Sequence, residues 1–223
     1  MSRIFFPQIR RRESYPERKY RGIVGNYVYT AYRRETREDC NRSCYYCDRH
    51  EDEIGGEEEF ELDHFRPCSF PEYRTLENDP RNLVWSCHKC NNLKLGKWPA
   101  RGSAVSHASG RGFIDRFATD DAIDYFSVKD DGEIVALKPP AQYIIDELKL
   151  DRDGLRKQRM VRIHTTQRIR EVIEWLEEIR VALMNPSLPT EEVQNLSDLR
   201  ARFVRFLDGW RVDYDYLFRR IRF

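Results

Sequence analysis

An aspartate and a histidine stand side by side at Asp63 and His64, at the end of a short alternating run in FELDHFRPCSF. A carboxylate can hold a hard divalent cation and an imidazole can take a proton near neutral pH, so the pair could serve hydrolysis. Taken alone, the pair reads equally as a turn cap beside a surface histidine. The second reactive set is larger. Six cysteines stand at 40, 44, 47, 68, 87 and 90, and four of them form two Cys-x-x-Cys knuckles, Cys44 with Cys47 and Cys87 with Cys90. Two knuckles about forty residues apart supply the four thiolates of a tetrahedral zinc, because each turns tightly enough to aim both sulfurs at one ion. A redox Cys-x-x-Cys or four buried thiols are the competing readings. A redox site, however, needs one such motif in a strand-to-helix setting, whereas here two flank a compact segment. His50 and His88 are substitute ligands in this pattern, and Cys40 and Cys68 are left over.

These groups need elements to place them. Phe60 and Leu62 alternate with Glu59, Glu61 and Asp63, the period-two pattern of a half-buried strand. A loop with three prolines follows over Arg66 to Arg81. A second short strand is expected over Asn82–Trp85, then a helix from Cys87 to Leu95 that stops near Gly96 and Pro99. The predicted unit is a hairpin followed by a helix, braced by zinc. Structural zinc contributes roughly 10 to 16 kcal/mol of apparent binding energy in small peptides, which would hold a region too polar and short to fold alone.

The ordered set Cys44, Cys47, Asp63, His64, Pro67, Asn82, Leu83, Cys87, Cys90, Asn91 and Lys94 resembles the zinc-braced HNH endonucleases with a ββα-metal core, over residues 40 to 100. The resemblance implies an α+β fold, a metal-dependent endonuclease acting on DNA, a structural Zn²⁺ on Cys44, Cys47, Cys87 and Cys90, and a catalytic Mg²⁺ or Mn²⁺ on Asp63 and Asn91. His64 is then the general base, and Asn82 pins the loop backbone that aims it. Asn92 lies about 100° around the helix from Asn91, so only one of the two faces the cleft. His88 shares the face of Asn91 and is a possible last ligand. Arg66, Lys94 and Lys97 are candidates for phosphate contact, against a reading as ordinary solvated charges. "DHFRP" and "NLVWSCHKCN" look most like small bacterial HNH proteins, including PtuB-like nucleases that accompany an ATPase in anti-phage defence. A restriction-like, retron-associated or mobile-element role fits the same residues. Two other classes compete: a zinc-braced module that binds nucleic acid without cutting, and a structural subunit of a defence complex.

The rest of the chain is read from composition and periodicity. It has 223 residues, 35% of them charged and 40% hydrophobic, with a net charge of +1 that hides an uneven distribution. Residues 1–38 form a basic arm, in which arginines alternate with Tyr15, Tyr20, Tyr27, Tyr29 and Tyr32, a composition that suits a phosphate backbone and stacked bases. Residues 48–63 reverse the sign around Gly55-Gly56. The HNH segment takes residues 39–100, and a loop with a short strand pair at Tyr125–Val128 and Ile134–Leu137 takes 101–138. From 139 to 223 the pattern is helical: a short helix around Tyr143–Leu150, a long one from Asp153 through Met184, and a third from Thr190 toward Phe223, broken by Pro186 and Pro189. Ile169, Ile173, Leu176, Ile179 and Leu183 form an apolar stripe. It is expected to face Phe203, Phe206, Leu207, Trp210 and Leu217, or to dock a second copy or an ATPase or sensor partner. No apolar run approaches the roughly 20 residues that span a bilayer, and the N-terminus is too polar for a secretory signal, so a cytoplasmic protein with reduced cysteines is expected.

Overall fold

The computed structural model describes residues 4–17, 28–118 and 120–221. Arg18, Lys19, Tyr20, Arg21 and Tyr27 of the basic arm lie outside the described residues. The elements run α1 (Arg33–Asp39), β1 (Phe60–His64), β2 (Leu83–Cys87), α2 (His88–Lys94), β3 (His107–Ala108), β4 (Arg111–Gly112), β5 (Phe126–Val128), β6 (Ile134–Ala136), α3 (Ala141–Leu148), α4 (Asp153–Ala182), α5 (Thr190–Asp213) and α6 (Asp215–Arg220). The chain divides into two compact units, Phe5–Gln158 and the remainder from Arg159 with Ile4, the boundary falling inside α4. Among the described residues no helix is long and apolar enough to cross a membrane.

In the first unit β1 and β2 pair antiparallel, with Asp63 opposite Val84 and His64 opposite Leu83. The second strand starts one residue later than the periodicity suggests and runs to Cys87, because Asn82 closes a 3₁₀ turn that begins at Pro80. All five β2 residues, the polar Ser86 included, are buried, so this strand is covered on both faces rather than alternating. Phe60 and Trp85, diagonal neighbours on the two strands, stack at 5.6 Å. Helix α2 begins at His88, directly after β2, and Gly96, with φ +67°, turns the chain away from its end.

Among the described residues, parts of the basic segment pack onto the first unit. Arg37 to Asp39 continue a helix that starts at Arg33, and Tyr32, Glu35 and Thr36 are buried. Arg11 donates to the carbonyls of Pro80 and Leu83, bridging the start of β2, while Arg12 and Tyr15 bind the carboxylate of Asp39. Arg37 reaches the acidic stretch. The Glu51 side chain is 0% exposed and accepts from Arg37 at 2.6 and 2.7 Å, from Arg42 at 3.1 Å and from the Trp85 indole at 2.8 Å. Among the described residues, Arg33 and Arg37 of the basic run thus pair with Glu51 and Glu57 of the acidic one.

The sequence-predicted loop over 101–112 contains the small pair β3–β4, and β5–β6 form the expected hairpin. In the second unit α4 ends at Ala182 and the third predicted helix is two, α5 and α6, separated at Tyr214. Ile169, Val172 and Ile179 are buried on α4, and Trp175 stacks on Phe203 of α5 at 5.5 Å. Ile173, Leu176 and Leu183 are only partly buried, so the stripe is rotated toward Val172.

Removing one partner of a buried ion pair typically costs about 3 to 5 kcal/mol, since the other charge stays buried and uncompensated. Glu51→Ala is expected to lower the unfolding free energy by about that amount, measured by denaturant titration of the zinc-loaded chain.

Candidate functional site

The cysteine knuckles are positioned first. α1 ends at Asp39, and three residues with left-handed backbones, Asn41, Arg42 and Asp48, turn the chain through the first knuckle. The Asp48 amide donates to the Cys44 carbonyl at 2.9 Å, and the Tyr45 amide donates to the Trp85 carbonyl at 2.8 Å, fastening the knuckle to β2. The second knuckle straddles the junction between β2 and α2. As a result the sulfurs of Cys44, Cys47, Cys87 and Cys90, all buried, lie within 4.8 Å of one another. A tetrahedron of sulfurs roughly 2.3 Å from a zinc has edges of about 3.8 Å. Cys47 and Cys87 are 3.9 Å apart, so the set fits the ion. Arg49 donates to the Cys87 sulfur at 3.5 Å, which offsets the negative charge of a four-thiolate centre. His50 caps the 3₁₀ turn Glu51–Glu53, accepting from the Asp52 amide, and is not among the clustered ligands. All six cysteines are free thiols. Cys40, left over in the sequence, accepts the Trp85 amide at 3.4 Å, and burial pushes its thiol up to about 12.

Beside this brace is an open cleft of about 460 Å³ whose lining includes Tyr29, Asp63, His64, Arg74, Asn91 and Lys94. Asp63 and His64 come from the end of β1, and Asn91 and Lys94 from α2, which the second knuckle anchors. Asn91 lines the cleft, while its neighbour Asn92 is exposed and does not. His88 pairs with Glu61 at 3.1 Å and the Glu58 carbonyl at 2.9 Å, away from the cleft lining; the Glu61 contact raises its pKa.

His64 is held at both ends. Its ring lies 4.7 Å from that of Tyr29, edge on, and its Nε2 is 2.8 Å from the Glu77 carbonyl. A carbonyl only accepts, so Nε2 carries the proton and Nδ1 of the neutral ring keeps its lone pair. Asn82 is buried and brackets the residue after Phe65: its Oδ1 accepts from the Arg66 amide at 2.9 Å and its Nδ2 donates to the Arg66 carbonyl at 3.0 Å. The Asn82 carbonyl also accepts from the Phe65 amide at 2.7 Å. Nδ2 further contacts the Cys68 sulfur at 3.7 Å; burial raises that thiol to about 11.

The Asp63 carboxylate accepts a 2.5 Å bond from the Tyr46 hydroxyl and pairs with the Lys94 ammonium at 3.0 Å. Lys94 is 1% exposed and also donates to the His64 carbonyl at 2.8 Å. Asp63 and Asn91 therefore offer hard oxygen donors at the same cleft, the chemistry a magnesium-type cation requires. The three residues expected to meet phosphate have partners inside the chain. Arg66 donates to the Ser103 and Ala104 carbonyls, Lys97 pairs with Glu147 at 2.5 Å, and Lys94 holds Asp63. Sequence reasoning missed Arg74, an exposed cleft residue on the 3₁₀ turn Pro71–Leu76. Its guanidinium enters none of the hydrogen bonds or ion pairs that engage the other three. It also missed Tyr46, whose place between the two knuckle cysteines was a signal.

Residues 44–95 match the family model described as HNH endonuclease, the span that contains both knuckles and every cleft residue named here except Tyr29 and Gly96. No curated protein and no solved structure matches the chain.

Metal analysis of the purified chain is expected to find about one zinc per chain, as one four-thiolate site implies. Cys87→Ser should lose that zinc together with the cooperative unfolding transition of Phe5–Gln158, followed by circular dichroism; a zinc-free parent chain with an intact transition would rule out the brace.

Proposed function

We propose that the HNH endonuclease domain of residues 44–95 hydrolyses phosphodiester bonds of DNA. In this reading Asp63 and Asn91 hold a Mg²⁺ or Mn²⁺ ion in a ββα-metal site, with His64 as general base. The observation that carries the proposal is the 2.8 Å contact between His64 Nε2 and the Glu77 carbonyl: a carbonyl only accepts, so Nε2 donates and Nδ1 is left as the basic nitrogen. When bound, the cation supplies Lewis-acid stabilisation of the charge that develops on the phosphate and on the leaving 3′ oxygen.

The chain's own residues do the rest. His64 Nδ1 takes a proton from the attacking water, becoming imidazolium, and general base catalysis of this kind contributes roughly 10² to 10⁴-fold. Tyr29 packed edge on at the ring and Asn82 on the backbone beyond it fix the imidazole, so little reorientation is needed before proton transfer. Lys94 keeps the Asp63 carboxylate and the His64 carbonyl at one ammonium, which ties ligand and base to the same point. Arg74, exposed on the cleft, supplies the phosphate contact that Arg66, Lys94 and Lys97 are not free to make.

We assign the chain, more narrowly, to bacterial anti-phage defence in the cytoplasm, beside an ATPase or sensor partner. That assignment rests on the resemblance of DHFRP and NLVWSCHKCN to PtuB-like nucleases, and a cleavage assay with and without the product of a neighbouring ATPase gene tests it.

His64→Ala is expected to lower the rate of nicking or cutting of plasmid DNA in Mg²⁺ or Mn²⁺ by at least about 10²-fold with zinc content unchanged. Equal cutting by parent and variant would remove His64 from the mechanism. Arg74→Ala should weaken binding of a short duplex and reduce the slope of log K against log salt by about 0.9, the signature of one lost phosphate contact, measured by fluorescence anisotropy without divalent metal. An unchanged slope would assign the phosphate contact elsewhere.

A further inference from the structure

Tyr46 stands between the two cysteines of the first knuckle, yet its side chain serves β1. The ring is buried and is held edge on by Tyr45 at 5.3 Å and Phe113 at 6.0 Å. Its hydroxyl donates to Asp63 Oδ2 at 2.5 Å.

The other partner of the carboxylate differs in kind. Lys94 Nζ lies 3.0 Å from Oδ2 and 3.2 Å from Oδ1, so its charge is shared across both oxygens. An ammonium is a compact charge with rotatable donors on a flexible stem, and it attracts a carboxylate without fixing its plane. A hydroxyl on a ring locked in the core supplies the direction that the ammonium lacks. A carboxylate has about four lone-pair sites, so these two partners still leave room for a cation on the cleft side.

We propose that Tyr46 is a positioning residue for Asp63, carrying the geometry of the cysteine knuckle to the cation ligand and thereby setting the affinity for the catalytic metal. The proposal rests on the nuclease reading above and names a determinant of that site outside the Asp63, His64, Asn82 and Asn91 set. In Tyr46→Phe the contact of Lys94 with both carboxylate oxygens remains, so the loss is one of orientation.

The test is Mn²⁺ binding to the zinc-loaded full chain, followed by electron paramagnetic resonance in the absence of DNA, for the parent and for Tyr46→Phe. The phenylalanine keeps the ring contacts and deletes only the hydroxyl. The dissociation constant for Mn²⁺ is expected to rise by about 10- to 100-fold, the usual effect of removing a partner that orients a metal ligand. Zinc content and melting temperature should stay at parent values. In the cleavage assay the Mn²⁺ concentration for half-maximal rate should rise in parallel while the rate at saturating Mn²⁺ changes much less, a split that a general loss of structure does not produce. Parent-like Mn²⁺ affinity in Tyr46→Phe overturns the proposal and leaves the nuclease reading standing. Loss of zinc from the variant also overturns it, because the hydroxyl would then belong to the zinc fold. A parent chain that binds no Mn²⁺ overturns the nuclease reading and this proposal together.

Discussion

Four sulfurs within 4.8 Å of one another are the constraint on which the rest of the first unit depends. Two of them belong to a knuckle built from left-handed turns and the other two to the junction of a buried strand with a helix. Neither piece has the length to fold alone, since β2 has five residues and α2 has seven. Joined at one cluster of four sulfurs, they fix where α2 starts, and so where Asn91 and Lys94 emerge opposite β1. The same joint delivers Tyr46 to Asp63, so the brace reaches the cleft from both of its halves.

Electrostatics completes the unit around an apolar core that runs from Phe6 through Trp85 and Phe113 to Leu155. The arginines of the basic N-terminal stretch meet buried acids and strand-end carbonyls, and Glu51 gathers Arg37, Arg42 and the Trp85 indole on one carboxylate. Buried charge is tolerated there because every partner is within hydrogen-bond range and directed. Lys94 follows the same logic at the cleft, where the ammonium is buried only because a carboxylate and a carbonyl receive it.

What the sequence makes legible follows from which signals are local. The knuckles, the alternation that ends at Asp63 and His64, and the helix that carries Asn91 all depend on short-range spacing, and the structure brings those residues to one brace and one cleft. The start of β2 is displaced because Asn82, read as the first strand residue, closes a turn begun by Pro80. The roles of single cations are not legible. Arg66 and Lys97 look like free charges until residues 103, 104 and 147 fold back onto them, and Arg74 sits in a 3₁₀ turn with no periodicity to mark it. Tyr46 has the opposite difficulty: its position in the motif is visible, but its contact with Asp63 spans 17 residues.

The connection between β1 and β2 has a further consequence. Its chain leaves the sheet after His64 and returns at Asn82, and Asn82 closes it at the base through both backbone groups of Arg66. The turn that bears Arg74 lies beyond that clasp, and Asn82 also reaches into it through the Leu76 carbonyl at 3.4 Å. The connection is therefore constrained from within as well as at its foot: the Glu77 carbonyl meets His64 Nε2 and Tyr73 is buried against Trp98, so changes of length or sequence are tolerable only where they leave those two points in place.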